Sequence, residues 1–376
     1  DQLGAKKRFL LVFTVLGVLA TGGLYWLAAG HWVGALALYL LGLLGFFGAN
    51  IFNDALITDV SRPDDYERVS SLAYALGYLG GGLLFALNVT MVLTPETFGF
   101  ADKGAAVQAA FLGVALWWTL FSLPLVLLVP ESKGAGRKTF RGAVRGAFAE
   151  LAVTFRQIRR LPDTFLFLIA YWFYIDGVDT IVFMAVDYGL SLGFEDSSLM
   201  AALLITQFVG FPAALVFGRL GARWGAKPAI LLAIGCYVLV VLAASQMSRI
   251  EHFYVLAGAI GLVQGGIQAL SRALFASLIP AGQTAELFGF YNMVGKFAAI
   301  LGPFLVGSTA ALTGDPRQSL LPILVLFVIG AVLLWRVDVR RGRDAAAMVV
   351  AEVSLSVRRP PDDGGAAPMR PGRPPG

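Results

Sequence analysis

The chain has 376 residues, of which 57% are hydrophobic and 14% charged, and its mean hydropathy is +0.74. Soluble domains carry about 25% charged residues, so this composition excludes a water-soluble globular fold. The net charge of +5 sits in short stretches between apolar blocks, which argues against nucleic-acid binding, and the single cysteine, Cys236, excludes an internal disulfide.

A helix of about 20 apolar residues crosses the hydrocarbon core of a bilayer. Ten blocks reach that length, roughly 9–29, 32–52, 69–93, 106–130, 164–186, 197–218, 227–246, 252–272, 286–311 and 317–336. The expected fold class is therefore an all-α polytopic membrane protein. Residues 1–130 should form a bundle of four helices and 164–338 a bundle of six. Between them lies 131–163, where Phe140, Val144, Phe148, Leu151, Phe155 and Ile158 recur as one helix face. Arg141, Arg145, Arg156, Arg159 and Arg160 surround that face, as in a helix lying in the membrane interface. Beyond 338 the chain turns Pro- and Gly-rich, and 339–376 is expected to be a disordered tail, with 344–357 able to form a frayed helix.

Lys and Arg set the orientation. Lys6, Lys7, Arg8, Arg62, Arg68, the 131–163 segment, Arg219, Arg223, Lys227, Arg272 and the tail fall in one alternating set of connections. The other set holds Lys103, Arg249 and Arg317. The first set should face the cytoplasm, in a bacterial inner membrane, with the linker and C-terminus on that side.

Charges deep in a span cost roughly 2.5–3.5 kcal/mol on insertion scales, so those present should pair, face a wet cavity or do work. In "YWFYIDGVDTI", residues 171–181, Asp176 and Asp179 are three apart and are expected to share a face. Asp176 lies about 20 Å along its span from Asp163, and Lys296 about 15 Å along its own from Glu286, at 1.5 Å per residue. The matching depth predicts that Asp176 and Lys296 meet or share a cavity, either as a transport site for substrate or protons or as a fixed ion pair holding helices together.

Gln264, Gln268 and Arg272 follow at i, i+4 and i+8, lining a pathway or bonding between helices. Arg272 is read as the cytoplasmic end of its span, free to snorkel. Asn292 precedes Lys296 by one turn and joins the candidate pathway. Asn50, Asn53 and Asp54 form a cytoplasmic-side cluster suited to packing or gating. No metal-ligand spacing, phosphate loop, nucleophile elbow or dinucleotide fingerprint occurs, so neither cofactor nor enzyme activity is expected.

Two short basic turns, "DQLGAKKR" at 1–8 and "GRLGARWGAKP" at 218–228, lie six spans apart. The second carries Gly218, Arg219, Gly221, Arg223, Gly225 and Lys227 and resembles the conserved loop of the major facilitator superfamily, with Ala222 where an acid often stands. The first resembles the end of the same loop, which implies that two helices belong upstream of Asp1. "SSLAYALGYLGGGLL" at 70–84, the 171–181 stretch and "GLVQGGIQALSRALFASLIPAGQTAELFGFYNMVGKFAAILGPFLVG" at 261–307 look like the vacuole-effluxer-like branch of that superfamily. The resemblance implies a monomeric, gradient-driven secondary transporter of a small solute coupled to protons, and its fungal branch points to amino-acid efflux. A non-transporting scaffold or receptor on the same fold is the competing reading. A lipid-directed enzyme would need a nucleophile–base pair that the sequence does not offer.

Overall fold

The computed structural model describes residues 6–28, 30–129, 154–280 and 283–358, with side chains as far as 350. Among them there is no strand, and ten helical spans are long and apolar enough to cross a membrane. In chain order the helices are α1 (Lys6–Gly23), α2 (Trp32–Ala55), α3 (Tyr66–Leu93), α4 (Lys103–Leu128), α5 (Pro162–Ser191) and α6 (Asp196–Trp224). They continue with α7 (Ala226–Ala244), α8 (Ile250–Leu278), α9 (Thr284–Ala298), α10 (Leu301–Thr313), α11 (Ile323–Arg336) and α12 (Val339–Arg358).

Helices α9 and α10 are two halves of one span, interrupted at Ala299–Ile300. Pro303 explains the interruption. It has no N–H to offer the Ala299 carbonyl, and its ring would collide with that carbonyl in a continuous helix.

The outer surface is what a bilayer requires. Leu19, Leu127, Val255 and Phe304 point outward and are exposed. Trp26 and Trp32 mark one end of the bundle, and Trp224 and Trp335 the other, in the manner of interfacial aromatic belts. The interior is densest among α5, α7, α8 and α11, where Phe167, Tyr174, Tyr237, Phe275 and Phe327 are fully buried.

Helix α1 packs on α2 and α4, while α3 lies against α4 and, more extensively, against α6 and α8. A second seam joins α2 to α9. The groups α1–α4 and α5–α11 therefore meet along two lines, and the space between those lines holds the cavity described below.

The basic turn expected at 218–228 is mostly helix. Gly218–Trp224 complete α6, and the chain reverses at Gly225 alone, with φ +91° and ψ 153°. Side chains rarely tolerate that conformation, so Gly225→Ala is expected to cost roughly 1–3 kcal/mol and to lower the melting temperature of the purified protein. Lys227, at the start of α7, donates to the carbonyls of Trp335 and Val337 at 2.7 Å each and so closes the C-terminus of α11.

Of the two flanking segments, one departs from expectation. Most of the linker, including the greater part of its amphipathic helix, lies outside the described residues. Residues 154–159 are helical, with Ile158 buried and the Phe155 ring 6.1 Å from that of Phe290. The segment expected to begin a disordered tail is instead helical over 339–358. Asp338 starts it by accepting the amides of Arg340 and Arg341 at 3.0 and 3.1 Å, as an N-terminal cap does. Arg341 then binds Asp163, a buried carboxylate at the start of α5, through Nε and, at 2.8 Å, through Nη2. Residues 359–376 lie outside the described part.

Candidate functional site

Helices α2, α3, α5, α6, α8 and α9 enclose a cavity of about 660 Å³ between the two groups of helices. Asp179 of α5 and Lys296 of α9 are both on its wall. Gln207 from α6, Gln268 from α8, and Asn50 and Asn53 from α2 add neutral polar groups. Tyr74, Tyr78, Tyr171 and Phe47 supply aromatic surface. The Lys296 ammonium lies 4.2 Å from the Phe47 ring centroid, a cation–π contact. Among the described residues neither Lys296 nor Asp179 enters an ion pair within 4 Å. The cavity thus offers one side chain of each charge, an acceptor in Asp179 and a donor in Lys296, with no ion pair within 4 Å between them.

At one end, the end from which Lys6 and Arg343 project, the cavity is floored by Asp54, Arg272 and Asn292. Arg272 is buried, six residues before the end of α8. Its Nη1 donates to Asp54 Oδ1 at 2.9 Å, its Nε to the Ser70 hydroxyl at 2.9 Å and its Nη2 to the Ser70 carbonyl at 3.2 Å. The Tyr74 ring lies 4.8 Å from the guanidinium carbon. Asn292 donates to the other oxygen of Asp54 at 3.0 Å. Every one of these bonds to Asp54 or Ser70 crosses between α2 or α3 and α8 or α9. Nearby, Lys6 bridges Asp59 and Thr284, each at 2.9 Å, and Arg343 approaches Glu67 at 3.8 Å.

The structure redistributes several expected roles. Asp176 does not face Lys296. It is fully buried on the other side of α5, where its Oδ1 accepts the Gly302 amide at 3.0 Å and lies 3.4 Å from the Thr180 hydroxyl. Positions three apart on a helix differ by about 60° in direction, enough to turn Asp179 toward the cavity and Asp176 toward the start of α10. Gln264 leaves the pathway as well and lines a separate apolar cavity of about 80 Å³ inside the second bundle, with Ile181, Leu203 and Phe253. Arg272 is no snorkelling terminus, because α8 runs on to Leu278 and the guanidinium finds its partners inside the protein. Gly218 and Gly221 do not form a loop; they bring α6 against Ser71 and Leu270. Arg219 and Arg223 are exposed on the last turns of α6.

Tyr74, Tyr78, Gln207 and Ser70 were not singled out from the sequence. Gln207, a lone amide in an apolar block, carried a readable signal. Tyr74 and Tyr78, spaced i, i+4, did as well.

Comparison with known proteins gives the same fold and names the family. Residues 58–347 match the family described as vacuole effluxer, Atg22-like. The chain belongs to that family. The MFS-type transporter YxiO of Bacillus subtilis is 38% identical over 335 residues, covering 89% of this chain and 78% of that protein. Autophagy-related protein 22 of Cryptococcus neoformans is 30% identical over 301 residues, and this chain spans about half its length, 52%. Two solved major facilitator structures share the fold of this Atg22-like chain. They are the Escherichia coli fucose:proton symporter FucP, with a TM-score of 0.65 at 12% identity, and the human organic anion transporter MFSD10, with 0.63 at 16%. Each aligns with 89% of the chain, over 84% and 79% of its own length respectively. The Atg22-like match extends from just beyond α2 into α12 and takes in the buried Arg272 cluster except Asp54, together with Asp179 and Lys296 of the cavity.

Proposed function

We propose that this multi-pass membrane protein moves a small zwitterionic solute, an amino acid fitting best, by alternating access coupled to protons. The supporting observation is the cavity between the two helix groups, with Asp179 and Lys296 on its wall and neither held by an ion pair among the described residues. An α-ammonium suits Asp179, a carboxylate suits Lys296, and the tyrosines accept an apolar side chain. The family's description as an effluxer supports export as the direction. The Arg272–Asp54–Asn292 cluster acts as a gate across the seam, with Asn50 and Asn53 just above it. The distribution of Lys and Arg supports a cytoplasmic position for the Arg272 end. The Bacillus relative supports a bacterial inner membrane, and the protein works as a monomer.

The test is flux in proteoliposomes. The purified full chain is reconstituted and offered each proteinogenic amino acid, several sugars and several dipeptides, with and without a pH gradient. At least one amino acid should accumulate faster than in protein-free vesicles and faster still with the gradient. Movement of sugars alone overturns the substrate class. Absence of all flux favours the scaffold reading.

A further inference from the structure

We infer that Asp176, rather than the cavity-facing Asp179, is the carboxylate that takes up and releases the coupled proton, and that it does so by capping and uncapping the second half of the broken helix. The inference rests on the transport reading for its role in the cycle, but its structural basis is separate.

Asp176 is fully buried, and only half of its carboxylate is satisfied. Its Oδ1 takes the Gly302 N–H at 3.0 Å, at the first turn of α10. Among the described residues its buried Oδ2 has no hydrogen-bond partner. Buried carboxylate oxygens are ordinarily paired, and an exception calls for an explanation. A charged carboxylate suits a helix N-terminus, whose free amides and dipole favour negative charge. The unpartnered Oδ2 favours the neutral acid, since an unsolvated charge costs far more in apolar surroundings than an unsolvated hydroxyl. Asp176 is therefore held between two opposing demands, as a group that changes charge in service must be.

The surroundings leave the decision to the proton. On its own helix the charged neighbour is Asp179, one turn on, and Thr180 spends its hydroxyl mainly on the Asp176 carbonyl at 2.6 Å. From α10 only backbone amides face it. Helix α11 presents Phe327 against neighbouring Gly177, and Phe327 is stacked on Tyr237 of α7. Among the described residues no cation is paired with it.

A proton adds to Oδ2, the charge is lost, and the Gly302 N–H···Oδ1 bond falls from a charge-assisted bond to an ordinary one of roughly half the strength. Deprotonation toward the other side of the membrane restores it. The break at Ala299–Ile300 then transmits the change. Lys296 is in the last turn of α9, immediately before the break, so loosening the start of α10 alters where Lys296 stands relative to Asp179. Gly302 also admits no larger residue, because a Cβ there would collide with the Thr180 hydroxyl.

Hydrogen–deuterium exchange on the full chain in nanodiscs tests this without knowing the solute. After correction for the intrinsic pH dependence of exchange, peptides spanning 299–306 should exchange about fivefold faster at low pH than at high pH, the size of effect that weakening one charge-assisted bond to an ordinary one produces. Asp176→Asn should exchange at the fast rate at every pH, whereas Asp179→Asn should keep the transition. Infrared difference spectra should show a carboxylic-acid band appearing with the same midpoint in wild type and missing from Asp176→Asn. A flat wild-type profile overturns the assignment even if no variant folds. Survival of the transition in Asp176→Asn, or its loss in Asp179→Asn alone, also overturns it. A transition as described in a protein that moves no solute supports the site and overturns the transport reading. A flat profile in a protein with gradient-driven flux does the reverse.

Discussion

Asp54→Ala is expected to destabilise the protein by roughly 3–5 kcal/mol, the usual cost of stripping one partner from a buried ion pair. The guanidinium of Arg272 would keep both contacts to Ser70 but lose the one ion-pair partner it has among the described residues, in a position where it is largely withdrawn from water. Asn292 would lose the acceptor that ties α9 to α2. Asp54→Asn, which keeps an acceptor but not the charge, should fall between wild type and Asp54→Ala in thermal melts of the detergent-solubilised protein. The double substitution Asp54→Leu/Arg272→Met should recover most of the loss, because replacing a whole buried pair by apolar side chains of similar volume is often neutral or stabilising. The informative quantity is the coupling energy from the melts of wild type, Asp54→Leu, Arg272→Met and the double variant, which removes contributions the two sites make independently. If Asp54→Ala melts with wild type, the buried cluster is not what holds the α2–α9 and α3–α8 seams together at this end.

The way this pair escaped a reading of the sequence is instructive. Span positions were legible because each crossing needs about 20 apolar residues, and nothing else in a chain imitates ten such blocks. Span ends were not, because hydropathy counts a charge as a terminus whether or not it is paired. Arg272 therefore read as the end of a helix that in fact continues to Leu278. Depth was legible for the same reason that spans were: counting residues from Asp163 and Glu286 put Lys296 and the two acids at similar heights. Direction around the helix axis was not legible, and it decided which acid shares the cavity with the lysine. Gln264 and Gln268 show the same limit, one lining the small apolar cavity and the other the large one. The break between α9 and α10 could have been read from Gly302–Pro303. The ordered start of α12 could not, since it depends on Asp163, 175 residues away from Asp338 in sequence.

Asp179→Asn and Lys296→Met are each expected to reduce solute flux at least tenfold while leaving the folded yield close to that of wild type. Neither is in an ion pair among the described residues, so removing either charge strands no paired counter-ion there, and the structural penalty that makes Asp54→Ala severe does not arise. Lys296 does lose its contact with the Phe47 ring, which is worth about 0.5–2 kcal/mol, and Lys296→Arg should keep that contact. A bound zwitterion, by contrast, makes a charge-assisted bond to each group, and losing one costs about 1.5–3 kcal/mol, or roughly ten- to a hundredfold in affinity. The defects should also differ in kind. Lys296→Met should discriminate less against amines that lack a carboxylate, and Asp179→Asn less against acids that lack an ammonium, in competition against the best amino acid of the panel. A scaffold that never binds solute predicts no such split, and both variants would then be indistinguishable from wild type in every competition. Equal flux by all three proteins would remove Asp179 and Lys296 from the site while leaving the cavity, the family and the fold as they stand.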